Sequence, residues 1–175
     1  MNEKKSFNEI KALSDEENIF LAVSNSRGKE TFNEVKRRST SLDEELIQLF
    51  PKLNIANQKI VNLIAVMLLN ELFKEFMIEV FQEKVHQQQM TLDLKDYRAF
   101  FSLKQRTNET VASWQEYTLN RLGSAYRTYL LEAGLLRANK AGDELIPQVL
   151  DSRLVDWLVE TDRQELLRVF TGGNG

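Results

Sequence analysis

Apolar and polar positions follow a helical rather than a strand period along most of the chain. Ser14 followed by Glu17 has capping-box spacing, in which a hydroxyl and a carboxylate each satisfy an orphan backbone N–H, and predicts a helix running to about Ser24. Gly28 is expected to break the chain. A second helix fits 29–39, with Phe32 and Val35 on related turns and Lys36, Arg37 and Arg38 in its last turn, where cations suit the negative end of the dipole. Ser41 and Glu44 repeat the capping spacing and open a short amphipathic helix that stops before Pro51.

Asn54 is placed to cap a helix from Ile55 to about His86, with apolar residues on nearly every side between Ile60 and Met67. Such a helix belongs at the centre of a bundle. Ile60 to Phe81 has the length of a membrane span, but Asn62, Asn70, Glu71, Lys74, Glu75 and Glu79 lie within it. Each charge at mid-bilayer costs about 2.5–3.5 kcal/mol, so the segment reads as a buried helix and no membrane partner is expected. Glu71, Glu75 and Glu79 recur every four residues as one stripe, expected to be solvated because no matching carboxylate–histidine motif accompanies it.

After Gln87–Gln89 the pattern changes. A helix is predicted from about Asp93 to Lys104, a short turn or helix around Asn108 to Ala112, and a long helix from Ser113 to Ala133 stopped by Gly134. Leu135–Arg137 and Glu144–Ile146 flank the turn residues Asn139 and Gly142 and pair as a small hairpin. Helix, turn, helix, hairpin is the winged-helix succession. Asp151 caps a helix holding Leu154, Trp157 and Leu158, and Thr161 with Gln164 makes a third capping box before Leu166, Leu167 and Phe170. The fold class is therefore all-α, with an N-terminal helical bundle (1–90), a winged-helix-like region packed on it as one compact unit (91–170) and a loose tail (171–175).

Composition narrows the chemistry. Of 175 residues, 42% are hydrophobic and 28% charged, with few Gly and Pro, as in globular chains rather than disordered or fibrous ones. There is no cysteine and one histidine, which removes disulfides, thiolate catalysis, zinc fingers and His-rich metal sites. His86, near a predicted helix end, has no catalytic companions in the sequence. There is no Gly-rich phosphate loop and no G-x-S-x-G elbow. Glu34-Val35-Lys36 has nuclease E-x-K spacing but lies in a helical pattern instead of a strand. No catalytic residue, metal, cofactor or small-molecule substrate is expected. The N-terminal 30 residues lack a signal-peptide apolar run, so a cytoplasmic location is expected.

The net charge of −3 hides blocks of opposite sign. Residues 25–40 carry five Lys/Arg against two acids, and 95–140 carry eight against four. On the long helix, about 100° per residue places Trp114, Thr118, Leu122, Ala125, Tyr126, Tyr129 and Ala133 on an inward face. The opposite face holds Glu116, Tyr117, Asn120, Arg121, Ser124, Arg127 and Thr128. Arg and Asn read base edges, whereas Ser, Thr and Tyr reach phosphates. Lys104 and Arg106 precede this helix, and Arg137, Asn139 and Lys140 occupy the wing. The first basic block adds Arg27, Lys29, Lys36, Arg37 and Arg38. Together they form a candidate nucleic-acid surface that works by counterion release even on an acidic protein. Any exposed helix followed by a hairpin presents similar residues, and Glu116 and Glu132 repel phosphate.

The succession Glu17-Asn18-Ile19-Phe20, the basic helix through Arg38, Phe73-Lys74-Glu75-Phe76 and Asp96-Tyr97-Arg98-Ala99-Phe100-Phe101 resembles one family. Val111-Ala112-Ser113-Trp114, Thr118 and Leu130-Leu131-Glu132-Ala133-Gly134-Leu135-Leu136 continue it. These segments, spread over most of the chain, are similar to BrxA, the accessory proteins of BREX bacteriophage-exclusion systems. The resemblance implies a cytoplasmic, helical, non-enzymatic protein, NusB-like in fold, that binds DNA in phage defence beside a methyltransferase, an ATPase and other BREX proteins. It transfers no contact residue, so the site residues rest on the helical-face argument. A sequence pI near 5.4 departs from that of a strong DNA binder, and a second class stays open, a protein–protein adaptor anchored through Tyr117 and Leu131 of the long helix, since aromatic residues are enriched at interfaces.

Overall fold

A computed structural model describes residues 5–140 and 142–171. Two compact units divide between residues 47 and 48.

The first unit is built on α1 (Phe7–Glu17) and α2 (Asn25–Ser41), which pack together. The capping box that starts α1 is Ser6 with Glu9, not Ser14 with Glu17. Ser14 lies inside the helix and is buried, and α1 ends at Asn18, whose left-handed backbone (φ 49°) turns the chain. The Asn18 side chain fixes that turn by bonding both the N–H and the carbonyl of Ala22. Gly28 does not break the chain. Ser24 caps α2 four residues earlier by accepting from the Arg27 N–H, and Gly28 is a buried helical position. A Cβ there would lie 3.7 Å from the Ser14 hydroxyl and 3.8 Å from the Ala22 methyl, so the missing side chain suits close packing rather than a bend. The short helix α3 (Glu44–Leu49) is capped by Asp43, which accepts from the Leu46 N–H; Ser41 instead donates to the Arg38 carbonyl.

In the second unit α4 (Ile55–Leu69) is the central rod, capped by Asn54 as expected. Buried residues occur all round it, from Ile60 and Val61 to Met67. It does not continue to His86. Asn70 leaves helical geometry (φ −139°, ψ 93°), and its side chain accepts from the Phe73 N–H, capping a new helix, α5 (Glu71–Phe76). A π-helical stretch follows at Met77–Gln82 and then α6 (Glu83–His86). Asn57, buried in α4, donates to the Val149 carbonyl (3.2 Å) and accepts from the Asp151 N–H (2.9 Å), so a polar core side chain finds partners and ties α4 to the distant C-terminal segment.

Next come β1 (Thr91–Leu92), α7 (Leu94–Thr107), α8 (Glu109–Ala112), α9 (Glu116–Ala133), β2 (Leu136–Arg137) and β3 (Asp143–Leu145). The expected hairpin is present as the antiparallel pair β2–β3, and the structure adds β1 on its other side, giving the order β1-β3-β2. Leu92 pairs with Asp143, and Arg137 stands opposite Glu144, where their charges meet across the strands. Gly134 ends α9 with a left-handed backbone (φ 76°). α10 (Ser152–Glu160) and α11 (Gln164–Thr171) close the unit, α11 packing on the π stretch. Thr161 ends α10 by donating to the Trp157 carbonyl and does not cap the next helix. Thr171 belongs to α11, and the rest of the expected tail lies outside the described residues.

Aromatic rings lock α5, α7 and α9 together. Phe76 stacks on Tyr97 (centroids 5.0 Å, 11° between planes), meets Phe100 edge-on at 5.2 Å and lies 5.4 Å from Tyr126. Phe73 is 4.8 Å from Tyr126. The buried hydroxyls of Tyr97 and Tyr126 have no hydrogen-bond partner. Tyr126→Phe is accordingly expected to be neutral or to stabilise the protein by up to about 1 kcal/mol, since it removes a polar atom whose desolvation is not repaid. Thermal denaturation checks this, and a loss above 1 kcal/mol would show that the hydroxyl has a partner in solution.

Candidate nucleic-acid interface

Helix α9 carries the candidate surface. Its buried residues are Tyr126, Leu130 and Ala133, so the inward stripe is rotated from the expected one, and Thr118 faces solvent. Glu116, Tyr117, Asn120, Arg121, Ser124 and Thr128 are exposed, and Arg127 is partly so. Arg121 lies over the Tyr117 ring at 5.7 Å, a cation–π contact that orients both side chains while leaving them in water.

The other cations differ in availability. Lys104 is buried and donates to Glu79 (2.6 Å) and Glu75 (2.8 Å). Burial alone lowers its pKa, but the two glutamates outweigh that and hold it above the usual lysine value, so the ammonium persists at neutral pH. Glu75 and Glu79 are thus a half-buried cradle for Lys104 rather than part of a solvated stripe. Arg127 forms a two-pronged pair with buried Asp143, its Nη2 2.8 Å from Oδ1. That hydrogen bond raises the arginine pKa, with the carboxylate charge adding to it and burial opposing it. Arg137 pairs with Glu144, and Arg106 donates to the Ser102 carbonyl. Asn139 and Lys140 are exposed at the hairpin tip; Ala141 beside them lies outside the described residues.

In the first unit Arg27 pairs with Glu30, and Arg37 and Arg38 both reach Glu34. Lys36 sits 5.6 Å from the Phe7 ring centre, and Lys29 is exposed.

Beside α9 a cleft of about 570 Å³ opens toward α7. Tyr97, Arg98, Phe101, Ser102 and Gln105 line one wall, Leu119, Asn120, Gly123 and Ser124 the other, and Asn139, Lys140 and Gly142 the end nearest the hairpin. Arg98 lies off the α9 face that the sequence points to, although it follows Tyr97 on a helix whose Tyr97 and Phe101 face the core, which places it at the edge of that core face. Gly142 has φ +125°, and a Cβ there would fall 2.1 Å from Asp93 Oδ1. Gly142→Ala is therefore expected to cost about 1–3 kcal/mol and to loosen the hairpin, read as faster amide exchange in β3. Unchanged exchange would mean that Asp93 moves aside freely.

Among the described residues no group of three or more His, Cys, Asp or Glu side chains is placed to hold a metal ion, and no helix is long and apolar enough to cross a membrane.

The fold is similar to that of a crystal structure of an uncharacterized protein from Magnetospirillum magneticum, with a TM-score of 0.73 over 96% of this chain and 85% of that one, at 17% sequence identity. A BREX protein BrxA from Bacillus cereus (strain H3081.97) is 36% identical over 148 residues, 85% of this chain and 74% of the relative. The family model for BrxA matches residues 1–162, which takes in both folded units up to the end of α10. The chain belongs to the BrxA family.

Proposed function

We propose that the protein is a non-enzymatic, DNA-binding accessory component of a BREX phage-defence system, with other BREX proteins as partners, and that α9 is the element it lays against duplex DNA. The observation that carries the reading is the exposed row Tyr117, Asn120, Arg121, Ser124 and Thr128 on a helix held between α7–α8 and a hairpin. The element order β1–α7–α8–α9–β2–β3, with β3 between the other two strands, supports a winged-helix reading, in which α9 would be the helix that enters the major groove. Asn and Arg on that face match base edges, and Lys140 and Arg106 flank it as phosphate contacts.

Fluorescence anisotropy with labelled duplex DNA, single-stranded DNA and RNA over a salt series tests this. Duplex binding is expected with log K falling linearly in log[salt], and Arg121→Ala is expected to weaken it about tenfold. If Arg121 touches a phosphate, the slope also falls by about one. No binding at low salt would remove the reading.

One observation favours an adaptor instead. Six of the nominated cations, Arg27, Arg37, Arg38, Lys104, Arg127 and Arg137, already pair with acids of the chain, and Tyr117 is 69% exposed, as an interface anchor would be. Capture of a BREX subunit that depends on Tyr117 and survives nuclease treatment would favour that role.

A further inference from the structure

The α7–α9 cleft has features that a helix lying on DNA does not need. Its volume, about 570 Å³, falls within the range of small-molecule sites. Its inner wall is apolar at Phe101 and Leu119, and Gly123 puts no side chain between α9 and α7, where a Cβ would stand 3.6 Å from the Phe101 ring and 3.8 Å from the Tyr97 ring. Tyr97 is 95% buried, lines the cleft, and its hydroxyl has no hydrogen-bond partner. Burial pushes that phenol's pKa up, and the other groups it senses include Asp143 and Arg127 of the same cleft.

The charges choose the sign of the occupant. Asp143 is neutralised by Arg127, and Asp93 is paired with Lys95 at 3.0 Å. Among the described residues lining the cleft, Arg98 and Lys140 are then the cations without an acidic partner, against Glu116 as the acid without a basic one, so a net positive charge remains for an anion. The carboxamide of Asn120 and that of Gln105, whose Nε2 donates to the Trp114 carbonyl, line the same cleft and suit the mixed donor and acceptor edge of a heterocycle.

From this geometry we propose that the cleft is a binding site for a free 5′-mononucleotide, its base between Phe101 and Leu119 with the amides at its edge, and its phosphate on Arg98 and Lys140. The site shares Asn120, Ser124 and Lys140 with the proposed DNA face, but Arg98, Phe101 and Gln105 lie outside that face and Arg121 lies outside the cleft, so the two readings are tested separately.

The test is calorimetric titration of the full chain with the four common 5′-ribonucleoside monophosphates, the matching nucleosides and inorganic phosphate. At least one nucleotide is expected to bind saturably below millimolar concentration, with its nucleoside and phosphate each at least tenfold weaker. Arg98→Ala is expected to weaken binding about tenfold, and Ser102→Trp, at an exposed wall position, is expected to abolish it by filling the cleft. Arg121→Ala should leave it unchanged while lowering duplex affinity, which separates failure of one proposal from failure of the other. No saturable binding at 5 mM (~), binding that survives Ser102→Trp with the fold intact, or phosphate binding as well as the nucleotide would overturn the site. Displacement of the nucleotide by single-stranded DNA would reassign the cleft to a nucleotide of a DNA strand and overturn the free ligand.

Discussion

Replacing Phe76 with alanine is expected to lower the unfolding free energy by about 3–5 kcal/mol. The ring has no solvent exposure and touches three others, Tyr97 and Phe100 from α7 and Tyr126 from α9. Truncation loses its hydrophobic transfer energy and leaves a hole that Tyr97 and Phe100, both fixed on α7, and Tyr126, fixed on α9, cannot collapse to fill. Phe76→Leu keeps most of the volume and is expected to cost about half as much. Urea denaturation of both variants measures the difference. Equal, small losses would mean that α5 does not anchor α7 and α9, and the α9 surface would then lack the support on which its geometry depends.

The elements that present that surface were legible in the sequence because their punctuation is local. Asp93 before α7, Asn108 before α8, Gly134 after α9 and Asp151 before α10 each do what their side chain or missing side chain dictates within one turn of chain. Local signals failed where two were equivalent. Ser6-x-x-Glu9 and Ser14-x-x-Glu17 have the same capping spacing, and what separates them is that Ser14 packs beside Gly28, a contact between helices that no window of sequence contains. Asn70 was hidden by the apolar pattern on either side of it, although its side chain stops one helix and caps the next.

The site was legible as a face and not as a charge. Helical spacing placed Asn120, Arg121 and Ser124 together, and they are exposed together. It had no means of showing that Lys104 answers Glu75 and Glu79 across two helices, or that Arg127 answers Asp143 sixteen residues on. Pairing decides which cations remain for a ligand: six of the eleven nominated ones answer acids of the chain, Lys104, Arg127 and Arg137 through acids on other elements, while Arg121 and Lys140, like the unnominated Arg98, are among those with no acidic partner among the described residues.

Arg127 shows the consequence. On the helical wheel it is a DNA contact whose removal spares the fold, but Arg127→Ala is expected to destabilise the protein by about 2 kcal/mol. Breaking an ion pair with both partners buried costs about 3–5 kcal/mol, and the smaller figure reflects an arginine 43% exposed beside a carboxylate only 7% exposed. What remains in the variant is Asp143, charged and buried at the start of β3, where its strand pairs with β1 and β2. Arg127→Ala/Asp143→Asn is expected to recover at least half of the loss, because the amide carries no charge to desolvate. Urea denaturation of the two single variants and the double variant closes a thermodynamic cycle around the pair. A double variant no more stable than Arg127→Ala would show that the arginine acts through something other than Asp143. With the coupling in place, a fall in DNA affinity for Arg127→Ala reports a displaced hairpin as readily as a lost contact, and Arg121, whose neighbour is the exposed Tyr117 ring, is the position at which binding is read without the fold.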